Sequence, residues 1–220
     1  DGETVQELKA GEEGEVFTDQ TPFYAEAGGQ VGDTGWIGGD GVRAEVRNTY
    51  HPVEGAHAHH VCVTEGTLKV GQAVRLRVDL ARREAIARAH TATHMLHCVL
   101  RKTLGEHALQ SGSLVEPDRL RFDFAHFTAL TPEERKQIEE GVVEMALQGL
   151  DLLTEEKTLE EARALGATAL FGEKYGERVR VVQIGDISME LCGGTHLSST
   201  GGIGDFAIVY EGSVGAGLRR

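Results

Sequence analysis

The sequence predicts an α+β fold, and three observations along its 220 residues carry that expectation. Residues 1–79 form a glycine-punctuated, strand-rich text; an uninterrupted helical run follows from Leu80 to Leu104; and the remainder alternates strand candidates with capped helices. Composition supports a folded chain, with 40% hydrophobic and 26% charged residues, enough for one large domain or two small ones. The 29 glycines and the low aromatic content of 5% imply many tight turns and a core of Val, Leu, Ile and Ala.

In the first part, residues 42–50, 59–64 and 73–79 have the β-branched or alternating character of strands. Turns such as Gly38-Gly39-Asp40-Gly41 and Lys69-Val70-Gly71 separate them, so a small antiparallel barrel-like subdomain or sandwich is expected over 1–79. The helical run has no internal Gly or Pro, and Gly105 stands just past its end as a stop. That change of pattern places the boundary, with a second domain over 80–220. Residues 120–127 alternate Leu120, Phe122, Phe124 and His126 against Arg121, Asp123, Ala125 and Phe127, as a strand would. Thr131-Pro132-Glu133-Glu134 supplies an N-cap, a proline at the first helical position and a capping-box glutamate. Thr158-Leu159-Glu160-Glu161 repeats that logic, and residues 179–184 and 206–211 complete the strands. The second domain therefore reads as a mixed sheet with helices on one side and one long helix able to carry a metal.

Thirty-five acidic against 22 basic side chains give a net charge of −13, which disfavours a simple basic nucleic-acid-binding module. The sum hides an asymmetry. Residues 1–40 carry ten acids and one base, whereas residues 75–102 carry seven bases against two acids, a local +5. Such a patch attracts phosphate within a Debye length on an acidic protein, although arginines that merely balance neighbouring acids would look the same. Three cysteines, Cys62, Cys98 and Cys192, make a disulfide framework a poor reading. No stretch approaches the roughly 18 apolar residues of a membrane helix, and the chain is expected to be soluble and cytoplasmic. It begins at Asp1 and ends on Arg219-Arg220, and an excised piece of a longer protein is the expectation.

The chemistry concentrates in two short segments. His90-Thr91-Ala92-Thr93-His94 lies inside the long helix, where residues four apart share a face and both imidazoles reach one metal ion. About a hundred residues later, Cys192-Gly193-Gly194-Thr195-His196 brings a thiolate and an imidazole together, its glycines allowing a sharp turn. Each half alone is more often a packed pair or a plain turn. Together, His90, His94, Cys192 and His196 make a tetrahedral set of imidazole nitrogens and a thiolate sulfur, suited to zinc. A metallopeptidase would need a glutamate after the first histidine, and Thr91 stands there. The site would therefore polarise or position an activated ester rather than cleave an amide. His97 and Cys98 read as structural.

Longer motifs accompany these segments. Thr21-Pro22-Phe23-Tyr24-Ala25-Glu26-Ala27-Gly28-Gly29-Gln30, Val31-Gly32-Asp33-Thr34-Gly35, Gln110-Ser111-Gly112-Ser113-Leu114-Val115 and Gly215-Ala216-Gly217-Leu218-Arg219-Arg220, with the two metal segments between them, resemble the editing domain of alanyl-tRNA synthetase. That domain is related to free-standing alanyl-tRNA editing proteins and to the editing domain of threonyl-tRNA synthetase. The resemblance covers nearly the whole chain. Ala25 stands where free-standing relatives often carry proline, and Leu218 where valine is common.

The resemblance implies hydrolysis of mischarged tRNA(Ala), chiefly seryl-tRNA(Ala) and glycyl-tRNA(Ala), because a site that accepts alanine rejects these two too weakly. It implies zinc (Zn2+) on His90, His94, Cys192 and His196, and Gln110 as the residue that binds or orients the ester. Thr21 would recognise the serine hydroxyl. Gly28 and Gly29 would admit the terminal adenosine closely or fix a turn. The implied partners are the aminoacyl 3′ end of tRNA(Ala) and the aminoacylation and C-terminal domains of the synthetase, with no membrane. A free-standing trans-editing protein and a non-catalytic zinc module that binds tRNA are the alternatives.

Overall fold

The computed structural model describes residues 2–169 and 175–220. They form two compact units, one of residues up to 27 with 31–83, the other of residues 28–30 with 84–220.

The first unit contains β1 (Glu7–Lys9), β2 (Glu13–Val16), β3 (Gly35–Gly39), β4 (Val42–Tyr50), β5 (Ala58–Glu65), β6 (Thr67–Lys69) and β7 (Arg75–Val78). Five strands make an antiparallel sheet in the order β2-β5-β4-β3-β7, and β1 pairs with β6. Among the described residues the larger sheet keeps two edges, β2 and β7, so the expected barrel-like subdomain does not close into a barrel. Its inner face follows from period-two alternation: Val42, Ala44 and Val46 of β4 meet Val61 and Val63 of β5 and Ile37 of β3. The other face carries polar residues, including Arg43, whose guanidinium lies 3.8 Å from the ring centre of Trp36.

The second unit takes most of α1 (Leu80–Leu104), then β8 (Gln110–Val115), β9 (Leu120–Ala125), α2 (Pro132–Gln148), β10 (Leu152–Thr158), α3 (Leu159–Ala164), β11 (Arg178–Ile184), β12 (Ser188–Leu191), β13 (Ser213–Gly215) and β14 (Leu218–Arg219). Both capping boxes form, at Thr131 with Glu134 and at Thr158 with Glu161. Gly105, at φ +110°, donates its N–H to the Arg101 carbonyl and ends α1 in a conformation that favours glycine. Two antiparallel sheets, β10-β11-β12 and β13-β14-β9-β8, stand where one mixed sheet was expected. The reason is local, since β8–β9, β11–β12 and β13–β14 are joined by short turns, and such pairs are antiparallel. Met95, Leu96, Val99 and Leu100 of α1, Ile138 and Val142 of α2, Phe122 and Phe124 of β9 and Val182 and Ile184 of β11 form the main core. A β-carbon on Gly141 would lie 2.8 Å from Val99, so the glycine sets how closely α2 packs there.

One expected strand is not a strand. Residues 206–211 form no strand, and among the described residues the stretch 205–211 makes no backbone-to-backbone hydrogen bond. The N–H of Ile208 instead donates to Glu139 at 2.7 Å, and the Arg135 guanidinium donates to the Ile208 carbonyl.

Candidate metal centre

His90 and His94 project from one side of α1 with their rings stacked, 5.2 Å between centres. Beyond β12 the chain turns through Cys192 to His196 and sets both side chains against them. One nitrogen from each of the three histidines and the Cys192 sulfur lie within 4.8 Å of one another. Cys192 Sγ is 3.3 Å from His90 Nε2 and 3.4 Å from His196 Nε2.

The geometry around the histidines decides which nitrogen faces inward. His90 Nδ1 is 2.6 Å from Gln30 Oε1, His94 Nδ1 is 2.6 Å from Glu190 Oε2, and His196 Nδ1 is 3.4 Å from Thr91 Oγ1. Gln30 Oε1, which also faces the Thr195 N–H, and the Glu190 carboxylate accept from Nδ1–H of His90 and His94, and the Nε2 atoms of His90 and His196 face the sulfur. His94 Nε2 is buried without a hydrogen-bond partner. A buried, unpartnered imidazole nitrogen beside a thiolate and two further imidazoles is a donor set that a bound cation would satisfy, so the residues fit a borderline-soft metal.

Electrostatics favour the thiolate but divide the histidines. The three imidazoles hold the Cys192 thiol well below its ordinary value against the burial that opposes this, so the thiolate form is favoured. Burial lowers His196 to about 4, keeping it neutral. His94 moves the opposite way, to about 10, because the Glu190 carboxylate and Cys192 outweigh the cost of burial. Glu190, itself buried, is held far below the usual carboxylate range by His94 and His97.

Several members of this arrangement escape a reading of the sequence. Glu190 also accepts from His97 Nδ1 at 2.9 Å, tying the structural histidine into the site. Gln30 is fully buried; its Oε1 also accepts from Thr195 N at 2.9 Å and its Nε2 donates to Thr195 Oγ1 at 3.0 Å. Thr91 accepts from Leu197 N at 3.1 Å, so the residue that excludes a peptidase glutamate helps to orient His196. Gly193 and Gly194 do not take positive φ. Gly194 serves closeness instead, because a β-carbon there would overlap the His90 imidazole.

The other expected site residues lie as follows. Gln110 opens β8 and donates from Nε2 to Ser113 Oγ at 3.2 Å; it makes no hydrogen bond to the four metal-ligand candidates. Gly29, at φ +81°, passes so close to Ser113 that a β-carbon would sit 2.6 Å from its carbonyl oxygen. Its own carbonyl accepts from Val115 N at 2.8 Å, so Gly28, Gly29 and Gln30 lie along β8. Thr21 belongs to the first unit. Its hydroxyl is 2.7 Å from His59 Nε2, whose Nδ1 donates to the Val16 carbonyl, so Thr21 donates to His59 while accepting from Phe23 N at 3.1 Å.

Residues 1–82 match the family model of class II (A) tRNA synthetases, and residues 179–220 match that of the threonyl and alanyl tRNA synthetase second additional domain. Similar curated proteins are the alanine–tRNA ligases of Pelotomaculum thermopropionicum, 53% identical over 219 residues, and of Acetivibrio thermocellus, 52% over 218. That of Desulforudis audaxviator is 51% identical over 220 residues. Each alignment covers at least 99% of this chain and 25% of the relative, so the chain spans about a quarter of their length. No helix among the described residues is long and apolar enough to cross a membrane.

Proposed function

We propose, from the premise that the chain belongs with the alanine–tRNA ligases along its whole length, that it is the segment of such an enzyme that hydrolyses wrongly formed aminoacyl esters. The substrates are seryl-tRNA(Ala) and glycyl-tRNA(Ala), the compartment is the cytoplasm, and the remainder of the synthetase supplies aminoacylation. The observation that carries this reading is the convergence of one nitrogen from each of His90, His94 and His196 with the Cys192 sulfur, all within 4.8 Å. Zinc bound there supplies a Lewis acid beside an ester carbonyl or its attacking water.

The remaining roles belong to side chains and backbone. His90, His94, Cys192 and His196 hold the ion, and Gln30, Glu190 and Thr91 fix the tautomers that let them. Gln110, steadied by Ser113, orients the ester so that water attacks the carbonyl carbon. The C–O bond to the ribose breaks, and serine or glycine leaves intact tRNA behind. Gly28 and Gly29 give the terminal adenosine a close backbone approach. Thr21, with its proton committed to His59, offers a lone pair to the serine hydroxyl. Alanine lacks that hydroxyl and is spared; the contact does not account for glycine.

A second reading is a zinc module that binds tRNA without cleaving it, and the donor count favours it, because four protein ligands close a tetrahedral ion as structural sites do. Incubating the chain with seryl-, glycyl- and alanyl-tRNA(Ala) separates the two. Hydrolysis predicts release of serine and glycine, survival of the alanyl ester, and loss of serine release in Cys192→Ala. No serine release from metal-replete protein leaves the binding module standing.

A further inference from the structure

The seven bases between residues 75 and 102 divide once their partners are known. Arg83 is paired with Asp33 and Arg101 with Glu106, while Arg82 and Arg88 donate to the carbonyls of Gly32 and Gly202. Among the described residues the guanidiniums of Arg75 and Arg77, and the Lys102 ammonium, have no hydrogen bond or ion pair. Arg75 and Arg77 are two residues apart on β7, and both are exposed.

Cross-strand register gathers a third arginine beside them. Trp36 of β3 pairs with Arg77 on one side and Glu45 on the other, and Gly38 pairs with Arg75 and Arg43. Directly opposed residues share a face, so Arg75, Arg77, Trp36 and Arg43 stand on the outer side of the sheet, away from Ile37, Ala44 and Leu76. Gly38 puts no side chain between Arg75 and Arg43, which leaves a dent two strand spacings wide, roughly 10 Å. Arg43 lies over the Trp36 ring at 3.8 Å, which holds its guanidinium flat without neutralising it. Glu65 stands opposite Arg43 in the register yet is not ion-paired with it, and Glu45 bonds Arg47 at 3.2 Å. Three guanidiniums without a carboxylate, on a chain of net charge −13, are not there to balance neighbouring acids.

We propose that this outer face binds the phosphate backbone of RNA, with phosphates on Arg75, Arg77 and Arg43 and the strand passing over Trp36. Guanidinium forks match phosphate oxygens two at a time, and an arginine stacked on an aromatic ring beside further free arginines is the composition of a surface that tracks a nucleic-acid backbone. An acidic protein segment would meet the same charges. Protein partners, however, draw most of their binding energy from an apolar centre, and these positions offer none beyond the half-buried Trp36. Binding here rests on the proposed encounter with tRNA, and it holds for the hydrolase and for the binding module alike, because none of the metal-ligand candidates takes part.

Trp36 is the single tryptophan, so its fluorescence reports on this face. Deacylated tRNA(Ala) titrated into the chain at about 50 mM salt quenches that fluorescence saturably, and added salt reverses the quenching. Arg75→Gln and Arg77→Gln each weaken the binding and lower the slope of log affinity against log salt by about 0.7–0.9, the share of one phosphate contact. Lys136→Gln, which removes an exposed base of α2 paired with Glu140, leaves affinity and slope unchanged. No quenching at low salt, slopes unmoved by both arginine variants, or an equal effect of Lys136→Gln overturns the proposal. Polyglutamate that quenches as strongly as tRNA at equal charge concentration assigns the face to an acidic protein segment and overturns it too. The probe carries no ester, so the two readings fail separately: serine release without quenching of Trp36 sinks this face alone, and quenching without serine release sinks the hydrolase alone.

Discussion

Each metal-ligand candidate depends on a neighbour chosen for one atom. Glu190 supplies a carboxylate oxygen to His94 Nδ1, and such outer partners change metal affinity by about 10–100-fold. Glu190→Gln keeps the shape and removes the charge, so zinc affinity measured by chelator competition falls by that order while the circular dichroism spectrum stays unchanged. Gly194→Ala forces its new methyl group into the His90 ring; the expected result is a loss of zinc stoichiometry by atomic absorption, with Gly193→Ala, whose β-carbon meets nothing within 4 Å, as the silent control. The four ligand candidates were legible because a histidine pair four apart on a helix and a cysteine four before a histidine at a turn are local spacings. Glu190 and Gln30 were not, because they lie 96 and 60 residues from the histidines they hold, and no local pattern links residues so far apart.

Individual elements vary in how much of their stability depends on pH. His59 on β5 is fully buried and hydrogen-bonded to both Thr21 and Val16, and burial pushes its imidazole below the ordinary value. A neutral buried histidine resists protonation that the unfolded chain accepts near about pH 6.5. The stabilisation is therefore complete above about pH 6.5 and is lost as the pH falls from there towards the lower folded value. Urea unfolding followed by the fluorescence of Trp36, the single tryptophan, shows wild-type stability falling between about pH 7 and 5 relative to His59→Gln. Helices were the most legible elements, because Thr131 and Thr158 each stand three residues before a glutamate. Residues 206–211 show the converse. Alternation reports that an extended segment has an inner face, not that a neighbour is present to bond it, and the neighbour is what makes a strand.

Across the whole chain, the charge of −13 sets the terms on which it would meet the tRNA proposed above. Phosphate contacts release counterions, and a protein making few of them binds weakly with a shallow salt dependence. Filter binding of tRNA(Ala) to the chain alone is expected to be weak, with a slope of log affinity against log salt well below that of the full-length synthetase; an equal slope would place the main phosphate contacts on this chain. The start of α1 at Leu80 was visible as a change of periodicity. That residues 28–30 belong with the second unit was not, because Gly28-Gly29-Gln30 lies in the middle of the first unit's text.

The separation of the ligand candidates along the chain has a further consequence for folding. His90 and Cys192 are 102 residues apart, so an ion that joins them is a cross-link as well as a reagent. In the chain-entropy treatment of cross-links, closing a loop of roughly 100 residues is worth about 4–5 kcal/mol of unfolded-state entropy. The loop so closed contains α2, β10, β11 and most of the main core. An ion that stays bound while the rest of the chain unfolds would leave a tethered ring, with its two ends already in register when the core re-forms.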